Sequence, residues 1–275
     1  PMDVQNRKLR KPFVYPESVS IRGYKPEIKV NGTIKQLDYN NYSYSNINLD
    51  GLYDKGIISG LFSIDDPNLS AHLNGEVSEI VFTPSAGKPG TIKLQGGIGH
   101  FSPEATHLSH TFGSSVFSAD IDADIILSKL EDAEGSMRVS NFTMTATEEH
   151  PAYKLDNFSL SSGFSEGIHF ISLKSDFADA ELKGHFNYQT LAQSFVNLIG
   201  SRLPTLPGLP PIKKGPDNNF SLRLLMSKTD WLQRFLGINF QLQQPLNLTA
   251  RLNDQTDDLT LMGDLPSFAY NDAWY

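Results

Sequence analysis

The sequence predicts a mostly β protein: a sharply curved antiparallel sheet with its apolar face inward, and one or two short helices. Three observations support this prediction. From residue 21 onward, apolar and polar side chains alternate with a period of two, between turns rich in Asn, Asp, Gly and Lys. Many of these runs are joined by short connections, which favour antiparallel neighbours. A glycine also recurs on the apolar side of strand after strand.

The glycine pattern places a large apolar residue two positions before the glycine and another two positions after it. In LSAHLNGEV (69–77), Leu73 and Val77 flank Gly75 in this way. The pattern occurs seven times in the chain, whereas composition alone predicts about 2.4 copies. Glycine weakens a strand and is kept where a sheet bends or where another group approaches closely. Scattered bulges in an ordinary β-sandwich are the alternative explanation.

Four segments follow from the N-terminus onward. Residues 1–20 are basic and contain prolines, as in a linker or frayed end. Residues 21–203 are predicted to be a β-segment that ends in an amphipathic helix, with strands at 42–53, 57–64 and 69–77. Residues 204–219 are too rich in Pro and Gly for regular structure. Residues 220–275 resume the β pattern around a short helix at 230–236.

The first predicted helix, at 190–203, carries an apolar stripe and is expected to pack over an open end or edge of the sheet. Thr190 and Gln193 have the spacing of a capping box. In the second helix, Asp230 is expected to be the N-cap and Gly237 the stop.

An internal repeat supports a repetitive β architecture. Residues Ile47 to Val77 resemble Phe158 to Phe186, and each copy runs from an acidic turn into an alternating strand with a glycine. Repeats of this kind are typical of quasi-one-dimensional folds.

Composition argues against several functions. The net charge of −8 disfavours nucleic acid and anionic membrane surfaces as partners. The absence of cysteine excludes thiolate catalysis and cysteine-ligated metals. No run approaches the roughly 18 apolar residues that a transmembrane helix needs.

The strongest candidate for catalysis or metal binding is GHFSPEATHLSHTFG (99–113). If 103–110 were helical, Glu104, His107 and His110 could share a face near His100 and bind Zn²⁺. A polar loop after a strand explains the stretch more simply. The chain has neither a Gly-x-Ser-x-Gly nucleophile elbow nor a GxGxxG loop. We therefore expect no enzymatic activity, no metal and no cofactor.

Four stretches resemble the TamB family within the broader AsmA-like proteins. They are DDPNLSAHLNGEV, LDNFSLSSGFSEGIHFISLK, SDFADAELKGHF and TDWLQRFLGINFQLQQPLNLTARL. The resemblance covers roughly residues 30–77 and 155–265, and its motifs are degenerate repeats rather than catalytic signatures.

The resemblance implies a curved trough, or β-taco, with an apolar interior, in an internal piece of a periplasmic protein anchored in the inner membrane of a Gram-negative bacterium. It implies transport of phospholipid or another acyl-chain ligand between the membranes, with an outer-membrane barrel partner of the TamA or BamA type. The alternative function is a structural scaffold, or chaperone-like docking module, for outer-membrane protein assembly.

Under this resemblance, the apolar residues that flank the glycines become the candidate lining of a lipid groove, together with Leu69, Leu160 and Phe170. The apolar candidates are Val30, Ile34, Leu49, Tyr53, Ile58, Phe62, Leu69, Leu73, Val77, Leu94, Ile98, Leu160, Phe170, Leu182, Phe186, Leu261 and Leu265. The glycines are Gly32, Gly51, Gly60, Gly75, Gly96, Gly184 and Gly263. The alternation over 168–175 allows two registers. One places Phe170 on the apolar face, and the other places Ile171 there. Gly75 is expected to leave room for an acyl chain.

Overall fold

The computed structural model describes residues 27–78, 89–127, 133–148, 151–187, 218–236, 238–256, 258–264, 266–271 and 273–274, and the single positions 190, 191, 193, 194, 197 and 211. The strands are β1 (Glu27–Tyr39), β2 (Tyr42–Asp54), β3 (Ile57–Asp66), β4 (Leu69–Ser78), β5 (Gly90–Phe101), β6 (Phe117–Leu127), β7 (Glu134–Met144), β8 (Tyr153–Ser165), β9 (Ile168–Ser175), β10 (Ala178–His185), β11 (Asn219–Met226), β12 (Phe240–Leu242), β13 (Leu246–Asn253), β14 (Asp258–Asp264), β15 (Phe268–Tyr270) and β16 (Ala273–Trp274). Helix α1 spans Asp230–Leu236.

Thirteen of these strands form one antiparallel sheet, which confirms the predicted fold class. The strands follow chain order from β1 to β11 and then continue with β13 and β14. The short strands β12, β15 and β16 form a separate sheet. Each strand therefore pairs mainly with its neighbour in sequence, as expected when short turns connect alternating segments.

Tight turns set the register of the hairpins. Asn40 and Asn41, between β1 and β2, both have positive φ, at 51° and 61°. Lys55 and Gly56, between β2 and β3, have φ of 51° and 85°. Two consecutive residues with positive φ match the right-handed twist of the flanking strands, and asparagine tolerates this conformation better than most side chains.

The chain divides into two compact units. The first contains residues 1–124 and 139–154, and the second contains 125–138 and 155–275. The division does not coincide with the predicted loop at 204–219, because β10 and β11, on either side of that loop, pair directly. Residues 1–20 and nearly all of the loop lie outside the described residues.

In the first unit, the core lies at one end of the apolar face of β1 to β4. Its buried side chains are Ile34, Tyr44, Ile47, Ile64 and Ala71. Ile34, Ile64 and Ala71 alternate with exposed or partly exposed residues along their strands, as the period of two predicts. In β2, Tyr44 and Ile47 lie three residues apart, and Asn46 between them has φ of 53°, so the alternation is interrupted there.

The segment 102–116 closes this end of the apolar face. Ser102 N donates to Asn68 O at 2.9 Å, and the Tyr44 hydroxyl donates to Thr106 O at 3.2 Å. Thr106 is wholly buried, and the His107 ring lies edge-on to Tyr42 at 6.1 Å. The polar stretch after β5 therefore acts as a cover, whereas no described segment covers the other end of the face.

A buried aspartate ties this core to the β3–β4 turn. The Asp66 carboxylate accepts hydrogen bonds from the Tyr42 hydroxyl, from Ser45 N and Oγ, both at 2.9 Å, and from Asn68 N at 2.9 Å. Burial alone would raise the pKa of this carboxyl, but these hydrogen bonds outweigh it and hold the pKa of Asp66 below its ordinary value.

Asp66→Asn should destabilise the protein at pH 7 by about 2 kcal/mol, since hydrogen bonds to a buried charged group are lost. A folded-state pKa below the unfolded value contributes stability at neutral pH, which disappears as the pH falls through the folded-state pKa. The difference in unfolding free energy between wild type and variant should therefore shrink below about pH 4. Urea titrations at several pH values measure it, and a difference that does not change with pH would contradict this role.

In the second unit, the core is covered by a helix. Leu182, Phe220 and Leu252 are buried together, and the helical residue Leu191 packs against them. The helical Ser194 is also buried, and its hydroxyl donates to Asp254 Oδ2 at 2.6 Å. The described part of the predicted 190–203 helix thus packs over one end of the apolar face, as expected.

The predicted N-terminus of the first helix differs from the structure by a few residues. The second helix begins at Asp230, and its predicted stop, Gly237, lies outside the described residues. Thr190 lies inside its helix, since the amides of Thr190 and Leu191 both donate to Asn187 O. The Gln193 side chain donates to Asn197 Oδ1 at 2.7 Å rather than back to the helix start. The predicted capping box is therefore wrong, because the first backbone hydrogen bonds of this helix go to the carbonyl oxygen of Asn187, two residues after the end of β10.

The internal repeat has a structural basis in two related turns. Asp66 serves both its own turn, through Asn68 N, and the neighbouring strand β2, through Ser45 N. In the second copy these tasks are divided. Ser175 Oγ accepts from Ala178 N at 3.0 Å, and Asp176 Oδ2 accepts from Asn157 N of β8 at 3.2 Å.

Candidate functional site: an apolar groove on the first unit

The register of the first five strands aligns their apolar positions into rows. In one row, Gly51 of β2 pairs with Gly60 of β3, which pairs with Gly75 of β4. Val30 and Leu94 complete this row in β1 and β5. Three adjacent positions on the apolar face therefore carry no side chain. We call them the glycine row.

Two further rows, each with at least three large apolar side chains, lie on either side of the glycine row. One runs through Gly32, Leu49, Phe62, Leu73 and Gly96, and the other through Ile28, Tyr53, Ile58, Val77 and Ile92. The first row adjoins the buried core, and the second lies towards the open end. Ile58, in the second row, is 46% exposed.

Close approach of neighbouring backbone explains the glycines. A Cβ atom at Gly75 would lie 2.1 Å from Lys93 O, and one at Gly60 would lie 2.1 Å from Asp50 O. Gly60 also has φ of 142°, a conformation that side chains strongly disfavour. Of the two reasons that the sequence offered for Gly75, close approach is the one seen here. The space above the glycine row on the apolar face is a consequence of this close approach, since no side chains fill it.

The glycine row and its flanks form an open groove with a volume of about 360 Å³, which we call the glycine groove. Its lining comprises Val30, Leu49, Gly51, Leu52, Tyr53, Ile58, Ser59, Gly60, Leu61, Phe62, Leu73, Gly75, Val77 and Leu94. None of these residues is charged, and Ser59 and Tyr53 bear the only polar side-chain atoms among them. The opposite face exposes charged and polar residues, including Glu76 and Lys93.

Most candidates from the first unit thus line one groove, but three belong to the core. Ile34 is buried in the core, and Leu69 and Ile98 pack against it beneath the 102–116 cover. The alternation of the strands could not separate these positions from the open ones. The cover that buries them comes from a stretch with no strand pattern.

The structure resolves the choice of register over 168–175. Ile171 pairs with Leu182 and with Ser162, so Ile171 lies on the apolar face. Phe170 pairs with Gly163 and Lys183 on the other face, where its ring packs over Gly163. The inclusion of Phe170 among the lining residues is therefore wrong.

The remaining candidates of the second unit do not share one open groove. Leu182 is buried, and Phe186 packs against the same core. Leu160 lines a separate apolar pocket of about 120 Å³ with Met137. Leu261 of β14 is 54% exposed. Gly184 and Gly263 repeat the close backbone approach, and Leu265 lies outside the described residues.

Sequence reasoning missed several apolar positions. In the first unit, Leu52 and Leu61 border the glycine groove beside Gly51 and Gly60, although the register places both leucines on the polar face. In the second unit, the missed positions are Leu173, Leu224 and Leu248, which continue the row of Leu160 and Ala180 across β8 to β13.

The histidine-rich stretch does not assemble a metal site. His100 Nε2 lies 3.1 Å from Asp66 O, whereas His107 Nδ1 faces Asn40 O at 3.3 Å. His110 and Glu104 form a loose contact at 3.9 Å. Among the described residues, no three His, Asp or Glu side chains are close enough to hold a metal ion.

No protein-family model, curated protein or solved structure matches the chain. Within the described residues, no helix is long and apolar enough to span a membrane. The glycine groove is thus the feature on which a functional assignment depends.

Proposed function

We propose that this chain is a non-enzymatic carrier of acyl-chain lipid, and that the glycine groove holds part of the acyl chain. The observation that supports the proposal most directly is an uncharged lining, contributed by five adjacent strands, that none of the described segments covers. Such a lining offers no arrangement of polar groups for catalysis, but it can shield the apolar surface of a bound acyl chain from water.

The size and composition of the groove support an apolar ligand. Its volume of about 360 Å³ lies at the lower end of the range of ligand pockets, about 300–1,000 Å³. Each methylene buried there contributes about 0.8 kcal/mol, so eight methylenes contribute roughly 6 kcal/mol before the costs of association. Because the lining has few polar groups that could hold the ligand in one place, an acyl chain can slide along the groove, as a lipid conduit requires.

The cellular role that we propose follows the TamB resemblance. The chain would belong to the periplasmic part of a protein anchored in the inner membrane, and would pass phospholipid towards the outer membrane with a barrel partner. The repeated acidic turns and glycine-bearing strands of both units support a repetitive β architecture of this kind.

Native mass spectrometry of the purified chain, followed by solvent extraction, tests the proposal. We expect the protein to carry adducts with the mass of a phospholipid, and we expect the same lipid to be identified in the solvent extract. A chain that carries no lipid and takes up no fluorescent fatty acid would overturn the proposal. That result would favour the scaffold alternative, in which the apolar face docks protein substrates.

A further inference from the structure

The glycine groove runs across the strands of the first unit rather than along them. Its floor is the glycine row, in which Gly51, Gly60 and Gly75 are partners on three adjacent strands. The row continues into β1 with Val30 and into β5 with Leu94, and both residues belong to the lining of the groove. The groove therefore has a floor without side chains and an apolar side chain at each end.

Larger side chains line both sides of this floor. They are Leu49, Phe62 and Leu73 on one side, and Tyr53, Ile58 and Val77 on the other. A ligand that lay along a strand would have to cross one of these two walls. A ligand that lies across the strands meets no side chain of the row between Val30 and Leu94, because only glycines separate them there.

The distance between the two end residues limits the length of chain that the floor can hold. Neighbouring strands lie about 4.8 Å apart, so Val30 in β1 and Leu94 in β5 are separated by about 19 Å. Van der Waals contact takes up about 4 Å at each end, which leaves about 11 Å for the ligand. An extended acyl chain advances about 1.25 Å per carbon, so about eight to ten carbons fit.

We infer that the glycine groove binds an acyl chain across the strands and that Leu94 sets the length of chain it holds, an inference that rests on the proposed function. The two ends of the groove are not equivalent. Because β1 is the outermost strand of the described sheet, a chain that extended past Val30 would leave the sheet. Because β5 pairs with β6, a chain that passed Leu94 would remain on the sheet. Leu94 is therefore the residue whose side chain separates the groove from the next strand.

Displacement of a fluorescent fatty acid from the whole chain by saturated fatty acids of six to sixteen carbons tests the inference. Every competitor is kept below its critical micelle concentration. In the wild type, each added methylene should tighten binding about fourfold up to about ten carbons, and further methylenes should have little effect. In Leu94→Ala the plateau should move by one strand spacing, or about four carbons. The fourteen-carbon acid should then bind this variant at least tenfold more tightly than the ten-carbon acid does.

Val77→Ala is the matched control, because Val77 lines a side of the same groove and not an end. This variant should bind all chain lengths more weakly by a similar factor, with the plateau at the same length as in the wild type. Partial unfolding of either variant would also weaken binding of all chain lengths alike. A shift of the plateau therefore reports on the end of the groove and not on stability.

A plateau at the same length in the wild type and in Leu94→Ala would overturn the inference, and so would an affinity that rises without a plateau up to sixteen carbons. In both cases fatty acids still bind, so the lipid-carrier proposal survives. Failure of the proposed function gives a different result. If no fatty acid of any length binds, the lipid-carrier proposal is lost, and this inference is lost with it.

Discussion

Replacement of Leu73 by aspartate should reduce binding of a fluorescent fatty acid at least about 100-fold, equivalent to about 2.8 kcal/mol. Leu73 pairs with Phe62 on one side and Gly96 on the other, within the lining of the glycine groove. A carboxylate there would lose its hydration whenever an acyl chain covered it. Fluorescence titration of the purified chain measures the change.

Two further variants separate loss of the ligand from loss of the fold. Asn74→Asp adds the same charge to the same strand on the exposed polar face, and should leave fatty-acid affinity unchanged. Ile58→Asp alters a groove residue that is 46% exposed, so the folded state should tolerate it while binding falls. Equal affinities in all three variants would contradict a ligand in the glycine groove.

The strands could be predicted closely because their signals are local. The predicted strands at 42–53, 57–64 and 69–77 correspond to β2, β3 and β4, which differ from them by at most two residues. Alternation reports which face a side chain occupies, and turn residues report where the strand reverses. Both can be read within about ten residues of sequence. The groove of the first unit follows from these two signals and the glycine pattern.

Burial of individual positions could not be predicted, because it depends on distant segments. Leu73 and Leu182 occupy the same place in the repeat, two residues before Gly75 and Gly184. Leu73 lines an open groove, whereas Leu182 is only 7% exposed beneath Leu191 and Phe220. The covering helix is held by contacts such as that of Ser194 with Asp254, sixty residues away.

This difference affects the choice of variants. Leu182→Glu would place a charge in a closed core and unfold the second unit, so its loss of binding would not report on a groove. The sequence repeat makes Leu73 and Leu182 look equivalent, but only Leu73 tests ligand binding.

Gly96→Ala should destabilise the protein by about 3 kcal/mol, the largest change in stability that we expect of a single methyl group. A Cβ atom at Gly96 would lie 2.0 Å from His72 O and 2.8 Å from Leu73 Cα. These are backbone atoms of the paired strand β4, so they cannot move aside as the end of a flexible side chain could. The strands would have to separate where they form the wall of the groove. Urea unfolding measures the change.

Gly99→Ala provides a control in the same strand, because the atom nearest to its Cβ would be Ser70 Oγ at 3.4 Å, an ordinary contact. This variant should remain within about 0.5 kcal/mol of wild type or be slightly more stable, since alanine reduces the entropy of the unfolded chain. Similar stability of the two variants would show that β4 and β5 can separate cheaply. Close backbone approach would then not explain the glycines, and the need for space in front of them would remain as the reason for their recurrence.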